Sequence, residues 1–372
     1  MRRGAVVALA LLVGACSPSA DTVSRAPVCE PVLPATPYGY SDNDAPIPAH
    51  FLASSAGTVR FSDNTPPENP ITNAGATLGR VLFYDVRLSA NDRIACASCH
   101  RQAFGFGDTA RFSPGLHGGR LPRRTMALVN ARFNGAGRFF WDERAPSLEA
   151  QVLQPIQDTV EMGMELAALV RKLGATSSYP GLFAAAFGSP EVTGDRIALA
   201  LAQFVRSLVS ARSRFDAVFA TGGAPNESLL TGREREGWRI FNAAGCVNCH
   251  RTIAQFADKA NNIGLDSVPA DTGAGQGRFK PPSLRNVAVR PPYMHDGRFA
   301  TLRQVVEFYD HGVRADPFLD PRLREADGSP RRLHLTPQQD TALVAFLESL
   351  SDSTFLRAER FSNPFPCRSE RP

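Results

Sequence analysis

The chain of 372 residues carries 41 Lys and Arg against 36 Asp and Glu, a formal charge of +5, with 43 % hydrophobic and 21 % charged residues. That apolar content supports a packed core and excludes a disordered chain, and the length accommodates two domains of ordinary size. The basic residues are scattered and almost all Arg, with Lys only at Lys172, Lys259 and Lys280, so nothing in the charge pattern supports nucleic-acid binding.

Arg2 and Arg3 precede an apolar run from Ala5 to Val13, too short to cross a membrane, so residues 1–15 read as a signal peptide. The run ends in Val13-Gly14-Ala15-Cys16, which resembles a bacterial lipobox; cleavage before Cys16 would leave its thiol to carry lipid. Ordinary cleavage near Ala15 or Ala20, without lipid, is the alternative. The expected location is the periplasm, with membrane contact only through a lipid anchor at Cys16. Residues 16–48, rich in Pro, Ser and Asp, read as a lipid-proximal linker that closes on the body only near Cys29.

Residues 49–220 form the first expected domain. Gly79-Arg80-Val81-Leu82-Phe83 leads into Cys96-Ala97-Ser98-Cys99-His100. Two thiols three positions apart can add to the two vinyl groups of one haem, and the adjoining His then reaches the iron as axial ligand. A split zinc site or a redox dithiol would use the same cysteines, but a His directly after the second Cys favours haem. Met162, Leu166, Leu169, Val170 and Leu173 make one helical stripe, and Ile197, Leu201, Phe204, Val205 and Leu208 make another.

The stretch Thr221–Ser228 marks the expected boundary, and residues 229–372 form the second domain. Gly237-Trp238-Arg239-Ile240-Phe241 repeats the earlier lead-in and Cys246-Val247-Asn248-Cys249-His250 repeats the haem motif. Leu343, Phe346, Leu347 and Leu350 form a stripe opened by Thr336 as N-cap, Pro337 at the first helical position and Gln339 at the capping-box position. Nothing alternates apolar and polar for long enough to build a sheet. The predicted fold is all-α: two cytochrome c-like domains, each binding one covalent haem c. Setting aside the four haem cysteines and Cys16 leaves Cys29 and Cys367, one near each end of the chain, and a disulfide between them is the economical expectation. Two unpaired thiols are the alternative.

Three further segments resemble the bacterial dihaem cytochrome c peroxidase family, and within it the MauG-like branch. They are Phe140-Trp141-Asp142-Glu143-Arg144-Ala145 running on through Gln151 and Pro155 to Glu161-Met162, then Pro282-Ser283-Leu284-Arg285-Asn286, then Pro292-Tyr293-Met294-His295-Asp296-Gly297 followed by Val306-Glu307-Phe308-Tyr309. The resemblance spans residues 70–365 and implies that peroxide reacts at the first haem. It places Glu161 as distal acid/base, with Gln151 and Pro155 in the distal pocket, and Trp141 as the relay between haems. By periodicity alone Glu161 would open an amphipathic helix beside Glu165 as part of a solvated face, and Trp141 would be a packing anchor.

The same resemblance puts Tyr309 at the second haem's distal position, where peroxidases of the family place Met and MauG-like members Tyr. Met294 is the alternative, His295 and His311 are near, and an ordinary core tyrosine is the plain reading. His117 lies near where some members carry a histidine that caps the first haem. The family's calcium site would map onto Arg124 in place of an Asn side chain and onto the carbonyls of Arg290 and Pro292; two guanidinium groups there disfavour a dication. The implied partners are hydrogen peroxide and either a small periplasmic electron-transfer protein or a protein substrate. A dihaem cytochrome that only passes electrons is the rival from another class.

Overall fold

The computed structural model describes residues 29–53, 59–220, 224–251, 254 and 259–367, together with Met1. Residues 2–28, with the expected signal peptide and Cys16, and part of the expected Thr221–Ser228 boundary lie outside the described residues. Within them the chain is helical, with isolated β-bridges and no strand. The helices that frame the fold are α1 (Asn73–Tyr84), α2 (Leu148–Gln157), α3 (Leu166–Gly174), α4 (Ser178–Phe187), α5 (Gly194–Ser207), α6 (Gly232–Ala243), α7 (Leu302–Glu307) and α8 (Pro337–Glu348).

Local sequence starts these helices. Ser147, Thr193 and Thr301 cap α2, α5 and α7 by accepting from the N–H of Ala150, Arg196 and Gln304. At α8 the capping box is complete, with Gln339 N–H donating to Thr336 Oγ1 and Thr336 N–H to Gln339 Oε1 at 2.9 Å.

The repeated lead-in is explained by one helix crossing made twice. A Cβ on Gly79 of α1 would lie 2.0 Å from the Ala200 carbonyl oxygen of α5, with the Cβ of Phe204 next to it. A Cβ on Gly237 of α6 would lie 1.9 Å from the Ala342 carbonyl oxygen of α8, beside the Cβ of Phe346. Each crossing brings two backbones together where only glycine fits. Gly79→Ala should therefore destabilise the protein by about 2 kcal/mol net, because overpacking against backbone exceeds the roughly 1 kcal/mol gained in helix propensity. An unchanged denaturation midpoint would show that the helices can separate without cost.

Two main cores follow from the two crossings, and each takes in a segment from the other half of the chain. Phe51 and Val59, early in the chain, belong to the second core. They are held there by Phe51 against Phe133 at 5.3 Å and by a buried network in which Arg285 Nη1 donates to Asp216 Oδ2 at 2.6 Å while His50 Nε2 lies 3.1 Å from Asp216 Oδ1. Phe355, Phe361 and Phe365, at the other end, belong to the first core. The rings of Phe355 and Phe361 reach Phe106, and Tyr84 Oη and Arg80 Nε donate to the carbonyls of Phe361 and Ser362.

Residues 29–48 do not behave as the linker their composition suggests. Tyr40 is buried in the first core, its hydroxyl donates to the Arg360 carbonyl, and Val32 N–H donates to the Pro364 carbonyl at 2.8 Å. This segment packs without regular elements, so it leaves no periodic signal. Beside it, Cys29 and Cys367 are joined as a disulfide with their Cα atoms 6.2 Å apart.

Candidate functional site: two cavities sharing a wall

The first haem motif sits on one helical turn, Cys96–Cys99, with Ala95 N–H donating to Ser98 Oγ. The second sits on a 3₁₀ turn, Cys246–Asn248, entered through Gly245 at φ +77°. Both end alike: the N–H of His100 and of His250 donates to the carbonyl of the first Cys of its motif at 2.9 Å. Each motif lines its own cavity, of about 830 Å³ over His100 and about 370 Å³ over His250. The roomier space is therefore on the first side.

The donor chemistry fits covalent haem c. Two cysteines three positions apart with a His directly after the second line each cavity, the set that holds one haem by two thioethers and an axial imidazole. Burial in the cavity walls pushes the thiols of Cys96, Cys99 and Cys246 up to about 12. Desolvation lowers the basicity of His100, keeping its imidazole neutral, and Nδ1 lies 2.9 Å from the Phe106 carbonyl. That contact makes Nδ1 the N–H and leaves Nε2 as the lone pair for iron.

On the first side Gln151, Pro155 and Glu161 line the cavity together. Glu161 does not open a helix. α3 begins five residues later, where Glu165 accepts from the N–H of Ala167 and Ala168. Glu161 instead sits in a turn wound around Asp158, whose Oδ1 accepts from the N–H of Val160 and Glu161 and whose carbonyl accepts from Met162 and Gly163. Gly163, at φ +58°, lets the chain leave that turn. Burial, with Asp158 adding and Arg144 opposing, pushes the Glu161 carboxyl up to about 7.

Trp141 lines both cavities. Its Nε1 donates to the Arg124 carbonyl at 2.6 Å, and its ring meets that of His295 edge-on at 6.4 Å. His295 lines the second cavity and stacks on Phe279 at 3.6 Å, and Met294 lines that cavity too.

Tyr309 also faces the second cavity, from a π-helical turn, Phe308–Gly312, that follows α7. One-turn widenings of this kind often mark functional positions. Burial first, then the facing sulfurs of Cys249 and Cys246, raises the Tyr309 hydroxyl above the ordinary phenol range, which places it on the haem side of the pocket. His311 and His117 are exposed and line neither cavity. At the mapped calcium position, Arg124 Nη2 donates to the Arg290 carbonyl at 2.6 Å and so occupies an oxygen the ion would need.

One signal in the sequence was missed. The turn Phe139–Ala145 and the turn Tyr293–Phe299 close with the same bridge, and Phe140 and Met294 take φ of +70° and +71°. In this register Trp141 matches His295, Arg144 matches Arg298, and the caps Ser147 and Thr301 coincide. Carried along the following helices, the register sets Pro155 opposite Tyr309. A proline side chain has no donor atom for iron, whereas a phenol does. The repeat thus puts a residue without a donor atom on the first side where the second side has a phenol.

Comparison with known proteins gives the family. A family model described as di-haem cytochrome c peroxidase matches residues 73–223, and a cytochrome c model matches residues 235–351. The methylamine utilization protein MauG of Methylorubrum extorquens is 37 % identical over 77 % of this chain and 80 % of its own length. This chain belongs to the di-haem cytochrome c peroxidase family. It is an oxidoreductase with two covalently bound haem c groups. The cytochrome c551 peroxidase of Nitrosomonas europaea is 34 % identical over 69 % of the chain and 79 % of its own length. A solved structure of a MauG-like protein associated with microbial copper homeostasis superposes with a TM-score of 0.72 at 30 % identity, covering 80 % of this chain and 95 % of that one. Among the described residues of this family member, no helix is long and apolar enough to cross a membrane.

Proposed function

We propose that the protein reduces hydrogen peroxide on the His100 side and passes the oxidising equivalents across Trp141 to the His250 side, where a reduced partner supplies two electrons. The observation that carries this reading is an asymmetry. The raised carboxyl of Glu161 faces only the His100 cavity, and Trp141 faces both. The haem c groups supply the iron chemistry that cleaves the peroxide bond and stores the oxidation. The chain's own task is the proton. Ionised Glu161 takes it from one peroxide oxygen and returns it to the other, which leaves as water. Two protons and two electrons balance the reduction of one peroxide to two waters.

The electron source distinguishes two readings. A small electron-transfer protein would make this a detoxifying peroxidase. Side chains of a protein substrate would make it MauG-like, and Tyr309 at the second cavity favours that outcome, because an anionic phenolate stabilises oxidised iron. The Cys29–Cys367 bridge and thiol-attached haem suit an oxidising compartment, so we place the protein in the periplasm, held to the membrane by lipid on Cys16.

Mixing the haem-loaded protein with hydrogen peroxide should change its absorption spectrum within seconds and consume two electrons of a reduced donor per peroxide. A spectrum that stays still would make the protein a carrier of electrons only.

A further inference from the structure

Two arginines are buried in the wall between the cavities with no acid beside them. Arg124 lines both cavities and Arg290 lines the one over His250, and each is 4 % exposed. Arg124 donates only to main-chain carbonyls, those of Thr125, Asp108 and Arg290, and Arg290 donates to the carbonyl of Ser283. The Nε of both arginines is buried without a hydrogen-bond partner. The nearest acid, Asp108, has its carboxylate engaged by Arg101, Ser113 and two main-chain N–H groups. The two guanidinium groups repel one another, and desolvation works against both charges. Buried like charges that stay ionised need an anion.

We propose that Arg290 and Arg124 are the socket for a haem propionate, Arg290 pairing with the haem attached at Cys246 and Cys249, and Arg124 closing the site from the shared wall. The anion this pocket would accept is a carboxylate. A guanidinium presents a planar fork of donors that matches a carboxylate's two oxygens, and the partnerless Nε groups are among the donors left over after the carbonyls are served. The proposal rests on haem occupancy, which family membership gives, and is independent of whether peroxide is the substrate. It also assigns Arg290 a positioning role. A propionate held by a cation adds less negative charge near the iron than a free one, so the pair favours the reduced state of that haem and works against Tyr309.

The test uses Arg290→Gln and Arg290→Lys in the full, haem-loaded chain. Arg290→Gln should keep two haems by pyridine haemochrome assay, yet shift the reduction equilibrium of one haem about tenfold toward the oxidised form, which for one electron is about 59 mV. The propionate-bending band of that haem should move in the resonance Raman spectrum while the other haem's stays in place. Arg290→Lys should restore part of both effects, since it returns the charge without the fork. Unchanged potentials and unchanged bands in Arg290→Gln overturn the proposal. Should the variant lose haem, the parent decides: a redox infrared difference spectrum with carboxyl-labelled haem should show hydrogen-bonded carboxylate, and protonated carboxyl in its place also overturns it.

Discussion

Glu161→Gln should slow the reaction with hydrogen peroxide by about 10²–10⁴-fold while both haems stay bound, the usual span of a general acid–base contribution. Glutamine keeps the shape and hydrogen-bonding capacity of the side chain but cannot carry a proton from one oxygen to the other. The turn around Asp158 should survive, because Glu161 enters it through its main-chain N–H, not its side chain. The pH profile supplies the sign. With the carboxyl pushed up to about 7, the carboxylate that accepts the first proton is the minor form in acid and the major form in mild alkali. The parent's rate should therefore rise with pH through about 7, and the variant's should be flat there. Stopped-flow mixing on both sides of that value reads both effects. A variant as fast as the parent would return Glu161 to the role of a solvated surface charge.

Tyr309→Phe should change the ferric spectrum and raise the reduction potential of one haem, by at least about 59 mV or tenfold in equilibrium for one electron, without loss of either covalent attachment. In the protein without iron the phenol is held neutral by its surroundings. A bound ferric ion reverses that preference, since a dominant local cation drives its ligand to deprotonate. The anion so formed stabilises the oxidised state, and phenylalanine cannot supply it. Storage of an oxidising equivalent after peroxide addition should weaken in parallel. If spectroelectrochemistry gives the parent's two potentials, Tyr309 is a packing residue, and Met294, which lines the same cavity, becomes the leading ligand.

What could be read from the residues in advance depended on how local the cause was. The haem motifs are local by nature: the thioether and imidazole chemistry lies within five consecutive positions. The stripes of α5 and α8 were equally plain, because one face of each is buried along its length. The lead-in repeat was visible as a pattern, but its cause, glycine against a carbonyl across a helix crossing, was not. Glu161 was misplaced because the stripe beginning at Met162 has helical spacing, whereas the side chain of Asp158 and the left-handed Gly163 hold that residue in a turn. Arg124 and Arg290 were brought together in advance only by the family's calcium positions, and their burial in one cavity wall follows from contacts distant in sequence. The likeness of the Trp141 and His295 turns was within reach of a comparison of the chain with itself.

The exchange of segments between the two cores has a consequence for how the molecule can be divided. Cutting between the haem segments would not yield two working halves. A front half would lack Phe355 and Phe361, whose rings complete the Phe106 cluster, and a back half would lack Phe51 of its core and Asp216, the acceptor for Arg285. Each half is a lock whose key is carried by the other. The first core is therefore complete only when Phe355, Phe361 and Phe365 have been synthesised and have returned to the His100 side. A lesion at Phe361 would be felt on the His100 side, far along the chain from where it lies.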